Sequence, residues 1–135
     1  MPKRTPLYQQ HLALGARCID FGGWEMPVQY TGIVAEHQAV RTAAGVFDIS
    51  HMGEIWVGGA HASGFLNQTL TNDIGLLAVG ESQYTLMCNE AGGVIDDLYV
   101  YRIANEAFLL MVNASRISTD LHWLEYQASN HGEDR

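Results

Sequence analysis

"SQYTLMCNEAGGVIDDLYVYRIANEAFLLMVNA", residues 82–114, decides the architecture of this chain. It breaks into three runs of strand type, "SQYTLMCN", "GVIDDLYVYRI" and "EAFLLMVNA", separated by short turns. Upstream, "VFDISHMGEIWVGG" looks extended, and "AHASGFLNQTLTND" carries Phe65, Leu66, Thr69 and Leu70 on one helical stripe. Downstream, "SRISTDLHWLEYQAS" lines up Ile117, Leu121, Leu124 and Ala128 at helical spacing. From about residue 51 to residue 130 the order is therefore strand, helix, three strands, helix. Three hairpin-linked strands with two amphipathic helices predict an α+β fold with an antiparallel sheet.

Residues 1–50 have a different texture. "TPLYQQHLALG" predicts a short helix with Thr5 as its cap and Pro6 at the first helical position. "CIDFGGWEMPVQYTG" reads as extended chain and loops. "IVAEHQAVRTAAG" predicts a helix in which Ile33, His37, Val40 and Ala44 recur at helical spacing and Gly45 makes the stop. No sheet is expected from this segment alone, and its apolar side chains need something to pack on. It is expected to be part of a larger, discontinuous body, with residues 51–130 as a second domain and 131–135 as a frayed tail.

Bulk composition narrows the function classes. Hydrophobic content of 47% with 16% charged residues belongs to a globular chain. A net charge of −8 with only seven Lys and Arg lacks the footprint needed to hold a phosphate backbone, so nucleic acid is not an expected partner. "MPKRTPLYQQ" has no apolar stretch after its basic residues, and "FLLMV" at 108–112 is far too short to span a bilayer. Cys18 and Cys88 lie far apart in apolar contexts, which suits reduced thiols and a cytoplasmic protein.

Several chemistries are excluded by pattern. The six histidines make no HExxH pair and no Cys/His ligand spacing, so no metal site is expected. No glycine run has a phosphate-loop or dinucleotide pattern, and no serine sits in a nucleophile elbow. His51 is kept open because it stands where the helical part gives way to the sheet.

The strongest anomaly is the pair Asp96 and Asp97. Neighbouring side chains in a strand point to opposite faces, so Asp96 goes with Val94, Leu98 and Val100, and Asp97 with Ile95, Tyr99 and Tyr101. A carboxylate in an apolar setting can have its pKa raised by roughly 3–5 units unless it is paired. Asp97 fits a structural role, capping the turn or accepting bonds from the tyrosines. Asp96 fits either a backbone-bonded residue or a functional carboxylate. Tyr84 and Asn113 also stand in apolar strands; Asn113 could instead cap the last helix. Met52 fits as core filling.

The stretches "RTPLYQQHLALGAR", "DFGGWEMPVQYTGIVAEHQAVRTAAGVFDISHMGE", "LTNDI", "YTLMCNEAGGVIDDLYVYRI" and "LLMVNASR" resemble the N-terminal third of the glycine cleavage T-protein family, the tetrahydrofolate-dependent aminomethyltransferases. That resemblance covers nearly the whole chain. It implies a helical and extended start belonging to a discontinuous folate-binding domain, then a ferredoxin-like domain over about 51–130. It implies tetrahydrofolate as co-substrate, lipoylated H-protein as partner, and a role for Asp96 as the catalytic carboxylate in the folate cavity. Tyr84 and Asn113 match positions on the pterin side, and Met52 matches an apolar wall. A demethylase of the same superfamily, or a relative that binds folate without transferring carbon, is the alternative. The chain then is a fragment, inactive by itself, with apolar surface free for self-association.

Register makes one more expectation. With a four-residue loop from Glu90 to Gly93, Asn89 opposes Val94 and Tyr84 falls on Asp97's face. Sharing a face with Asp96 requires a different loop length or a bulge.

Overall fold

The computed structural model describes residues 1–131. It divides into two compact units, residues 1–51 and the residues from 52 onward. His131 is the last helical residue; the rest of the expected tail lies outside the described residues.

The first unit contains α1 (Tyr8–Ala13), β1 (Arg17–Phe21), β2 (Trp24–Gln29) and α2 (Ile33–Thr42). Contrary to expectation, it has a sheet: β1 and β2 pair antiparallel, with Phe21 opposite Trp24. The reason is the glycine pair between them. Gly22 and Gly23 have φ of 59° and 84°, and a two-residue turn with positive φ at both positions matches the twist of its flanking strands. Asp20 Oδ1 accepts a bond from Gly23 N at 2.9 Å and braces the turn.

Two cap assignments also change. Thr5 does not cap α1; its hydroxyl donates to Asp48 Oδ2 at 2.7 Å, and Leu7 holds the cap position without a side-chain bond. α2 stops at Thr42, before Gly45, and none of its residues is buried. Its start is secured from inside the helix: Glu36 Oε1 accepts bonds from the backbone N of Tyr30, Thr31 and Gly32. Those amides, Gly32 first, hold the Glu36 carboxyl below its ordinary range.

Asp48 is the polar centre of this unit. Its Oδ2 takes the Thr5 hydroxyl and lies 2.7 Å from His11 Nε2, while Oδ1 accepts from Ser50 N. Tyr30 Oη sits 2.8 Å from the other His11 nitrogen.

The second unit holds β3 (Gly53–Gly58), α3 (Ala62–Thr69), a 3₁₀ turn (Ile74–Leu76), β4 (Ser82–Cys88), β5 (Val94–Ala104), β6 (Ala107–Val112) and α4 (Ile117–His131). It is an α+β fold. The four strands form an antiparallel sheet in the order β3-β6-β5-β4. Leu66, Ile74, Met87, Leu98, Val100, Phe108, Leu110 and Val112 have essentially no exposed surface, and Leu124 of α4 joins their cluster. Each such burial is worth about 1.5–3 kcal/mol. α4 comes so close to β3 that a Cβ on Gly53 would lie 2.4 Å from Ile117 Cγ1. The free edge of β4 is covered by the segment after α3: Thr71 N donates to Leu86 O, and Asn72 N donates to the buried Thr85 hydroxyl.

Burial by itself pushes the Asp48 carboxyl up, but bonds from His11, Ser50 and Thr5 outweigh it and hold the group well below its ordinary value. A depressed carboxyl adds stability above its unfolded pKa and loses it as pH falls through the lowered one. Asp48→Asn should therefore destabilise the protein at neutral pH by about 1.5–3 kcal/mol. The gap to the parent should close as pH falls below about 4, read by denaturant titration over that range.

Candidate active site

β5 alternates cleanly. Asp96, Leu98 and Val100 are buried, whereas Asp97 and Tyr99 are exposed. The face expected to be greasy on both sides is thus open on one. Cross-strand pairing builds that open face into two rows. Glu54, Met111, Tyr99 and Tyr84 lie side by side across the four strands, and Trp56, Leu109, Tyr101 and Ser82 form the next row. The Tyr84 and Tyr99 rings meet edge to face, with centroids 5.5 Å apart.

The register agrees with expectation over most of the hairpin and departs from it at the turn. Tyr84 opposes Tyr99 and Leu86 opposes Asp97, but Cys88, not Asn89, opposes Val94. One extra residue on β5, Ile95, makes a bulge between Val94 and Asp96. Beyond the bulge Tyr84 shares the face of Asp97, and its hydroxyl donates to Asp97 Oδ2 at 2.9 Å. That bond to a carboxylate, with some burial, pushes the Tyr84 phenol above its ordinary value.

Asn113 joins the two faces. It does not cap α4. Its backbone N donates to Asp96 Oδ2 at 3.1 Å and its Nδ2 lies 3.0 Å from Asp96 Oδ1. The same Nδ2 is 3.1 Å from both the carbonyl and Oδ1 of Asp97. One amide at the end of β6 thus reaches both carboxylates of β5. Met52, half-buried, comes just before Gly53, whose partner Val112 precedes Asn113.

Asp96 is only 6% exposed. Sequence reasoning aimed it into an open cavity; the structure puts it under the helix-covered face with both oxygens engaged. It also meets a residue not foreseen at all. Asp120 of α4 is 0% exposed, and the Asp96 carboxyl is among the groups acting on it. Among the described residues no N–H or O–H group donates to either Asp120 oxygen. Desolvation first, then the neighbouring Asp96 carboxyl, push Asp120 up to about 7.

The chain matches the GCVT N-terminal domain family over residues 7–134. It is 56% identical over 126 residues to an aminomethyltransferase of Desulfitobacterium hafniense, covering 93% of this chain and 34% of that protein. It is 51% identical to an aminomethyltransferase of Thermotoga neapolitana over 95% of this chain and 35% of the relative. The crystal structure of glycine cleavage system aminomethyltransferase T from Bartonella henselae superposes with a TM-score of 0.87 at 42% identity, over 95% of this chain and 36% of that one. This chain belongs to the aminomethyltransferase T-protein family, as its N-terminal GCVT domain. It spans about a third of the length of these relatives.

In this T-protein domain the sequence-predicted site residues separate into two layers. Tyr84 lies on the open face, Asn113 links the layers, and Asp96 lies beneath. Asp97, read from the sequence as structural, stands beside Tyr84 on the outside. Asp120 could have been suspected, since it sits on the apolar stripe of α4 between Ile117 and Leu124. His51 is buried, with its ring edge-on to those of Phe21 and Trp24. That unit also has a hollow of about 500 Å³ with apolar lining, including Met26, Val40 and Phe47. Among the described residues no group of three or more His, Cys, Asp or Glu could hold a metal ion. Among the described residues no helix is long and apolar enough to cross a membrane.

A carboxyl raised from 3.8 to about 7 binds its proton more tightly folded than unfolded, so stability falls as pH rises between those values. Asp96 and Arg116 are the charged groups acting on Asp120, and α3 carries no titratable side chain. The parent should lose stability between about pH 4 and pH 7, and Asp120→Asn should lack that decline. Thermal midpoints measured across this window decide it.

Proposed function

We propose that the full-length protein is a tetrahydrofolate-dependent aminomethyltransferase of the glycine cleavage system. It moves the aminomethyl carbon from lipoylated H-protein to tetrahydrofolate and releases ammonia, acts in the cytoplasm, and needs more than these 135 residues for turnover. The observation that carries this reading is the open sheet face: an exposed carboxylate, Asp97, fixed by Tyr84 and Asn113 beside aromatic rings, in a chain over half identical to aminomethyltransferases.

The residues present suit a reduced pterin. Tyr84, Tyr99 and Met111 offer a flat, polarizable surface for a ring system. Asp97 accepts one bond from Tyr84 and one from Asn113, and a carboxylate has about four acceptor positions. Two are left for N–H donors of a ligand. Tetrahydrofolate supplies the nitrogens that accept the carbon. The role of this chain is to hold and orient: Asp97 takes a hydrogen bond from the ligand and offsets positive charge as it develops. Tyr84 and Asn113 stop its carboxylate from rotating away, so positioning does not have to be achieved again in each encounter. Met52 contributes an apolar wall.

On geometry we place the ligand-facing role at Asp97 and a supporting role at Asp96. In the full-length enzyme Asp97→Asn should lower kcat by about 10²–10³-fold, with Asp96→Asn costing less. The reverse order, measured as tetrahydrofolate-dependent glycine cleavage, would return the role to Asp96. A demethylase of the same superfamily is the competing assignment, and activity without lipoylated H-protein would favour it. Exposed Val34, Val46 and Phe47 in the first unit support self-association of the isolated chain. Light scattering should give a mass above one chain; a monodisperse monomer would refute this.

A further inference from the structure

We infer that Asp120 is a positioning residue: its buried and otherwise unpartnered carboxyl, on the helix whose Arg116 reaches the carbonyl of Ile95 beside Asp96, donates a hydrogen bond to Asp96 and so sets the Asp96–Asn113 clamp that orients Asp97 on the open face. This rests on the placement of the ligand-facing role at Asp97 and names what holds that residue in place.

The argument starts from accounting for hydrogens. Asp96 has two bonds from one partner, the N and Nδ2 of Asn113. Asp120 has no surface and no bond from any N–H or O–H donor. Two carboxylates in contact and out of water repel, and sharing one proton removes the repulsion. Among the described residues the cation acting on Asp120 is Arg116, one helical turn earlier, and Arg116 Nε is turned to the carbonyl of Ile95. An ionised Asp120 is therefore uncompensated, whereas a protonated one donates to Asp96. The rise of Asp120 to about 7 agrees with that assignment.

The second step is directional. With the Asp120 proton on it, Asp96 is pinned from α4 on one side and from the end of β6 on the other. Asn113 cannot turn without breaking its bonds to Asp96, and its Nδ2 is the group that also holds Asp97 Oδ1. A chain of four side chains thus runs from the helix layer through the sheet to the exposed carboxylate. A purely structural residue at position 120 has a better solution: leucine fills the same stripe with Ile117 and Leu124 and costs no desolvation. The acid is explained by the bond it makes.

The test uses the full-length protein and three variants. Difference infrared spectra at a pH below about 7 should contain the carbonyl stretch of a buried protonated carboxyl, absent from Asp120→Asn and retained in Asp97→Asn. Absence of that band from the parent overturns the shared proton. The side-chain amide protons of Asn113 should exchange slowly in the parent and in Asp120→Asn, whose amide can still donate to Asp96, and quickly in folded Asp120→Leu. Equal exchange in the parent and Asp120→Leu overturns the positioning role. In turnover, Asp120→Leu should lose about 10–100-fold in kcat, the range for removing a partner that orients a site group, with Asp120→Asn restoring most of it. Equal losses in the two variants would mean that packing, not the bond, matters. The infrared and exchange readouts do not depend on what Asp97 does, so they stand even if Asp97→Asn proves active.

Discussion

A single carboxamide governs the geometry of this sheet. Consecutive residues of a strand point to opposite faces, so no side chain across a regular ladder can touch both Asp96 and Asp97. Asn113 escapes that limit by standing where β6 ends and the chain turns toward α4. From there its backbone amide serves the lower carboxylate and its side-chain amide serves both. Two like charges on adjacent residues are thereby given shared donors in place of mutual repulsion. The bulge at Ile95 contributes as well, because it adjusts the strand next to the pair without moving Tyr84 off the face of Asp97.

The two acids then diverge by environment. Asp97 keeps contact with solvent. Asp96 is enclosed, and burying an anion costs several kcal/mol unless donors replace its water. Asn113 provides two, and the acid of Asp120 provides a third at the cost of remaining neutral itself. The same sheet thus presents one carboxyl group outward and encloses another beneath it. The first unit solves a similar problem differently: Asp48 is as enclosed, yet three donors surround it and it stays ionised.

Much of this was legible before any coordinates. The three strand-like runs, the stripe of α3 and the register that puts Tyr84 with Asp97 follow from periodicity, because side-chain alternation leaves little freedom once one face is buried. The β1–β2 hairpin is masked by the loop-like composition of "FGGW"; two glycines between alternating residues are also the signature of a tight hairpin turn. α2 has a helical pattern but no buried face, since spacing reports which residues share a side and not whether anything covers it. The Asp pair was visible as an anomaly, but its inside and outside could not be told apart while both faces looked apolar. Tyr99 and Tyr101 stand in an apolar run, yet tyrosine is as much at home on a half-wet surface. Asp120 was hidden by habit: an acid on an apolar stripe is easily read as an interruption rather than as a partner for another acid.

Coverage decides what the outer carboxylate can do. Two unit charges 4 Å apart interact by about 1 kcal/mol in water and about 4 kcal/mol at the effective dielectric of a protein surface. Asp97 and the rows of Tyr84, Tyr99, Met111 and Trp56 form one wall, and the chain spans about a third of the length of the aminomethyltransferases it matches. With that wall facing water, the hydrogen bonds of Asp97 to Tyr84 and Asn113 fix direction but give little force. Enclosing the wall leaves the directions as they are and multiplies the force severalfold. The orientation of the site is therefore a local property, written in β4, β5, β6 and α4, while its strength is not. A protein built this way can carry its positioning network in a small sheet and acquire its electrostatics by burial.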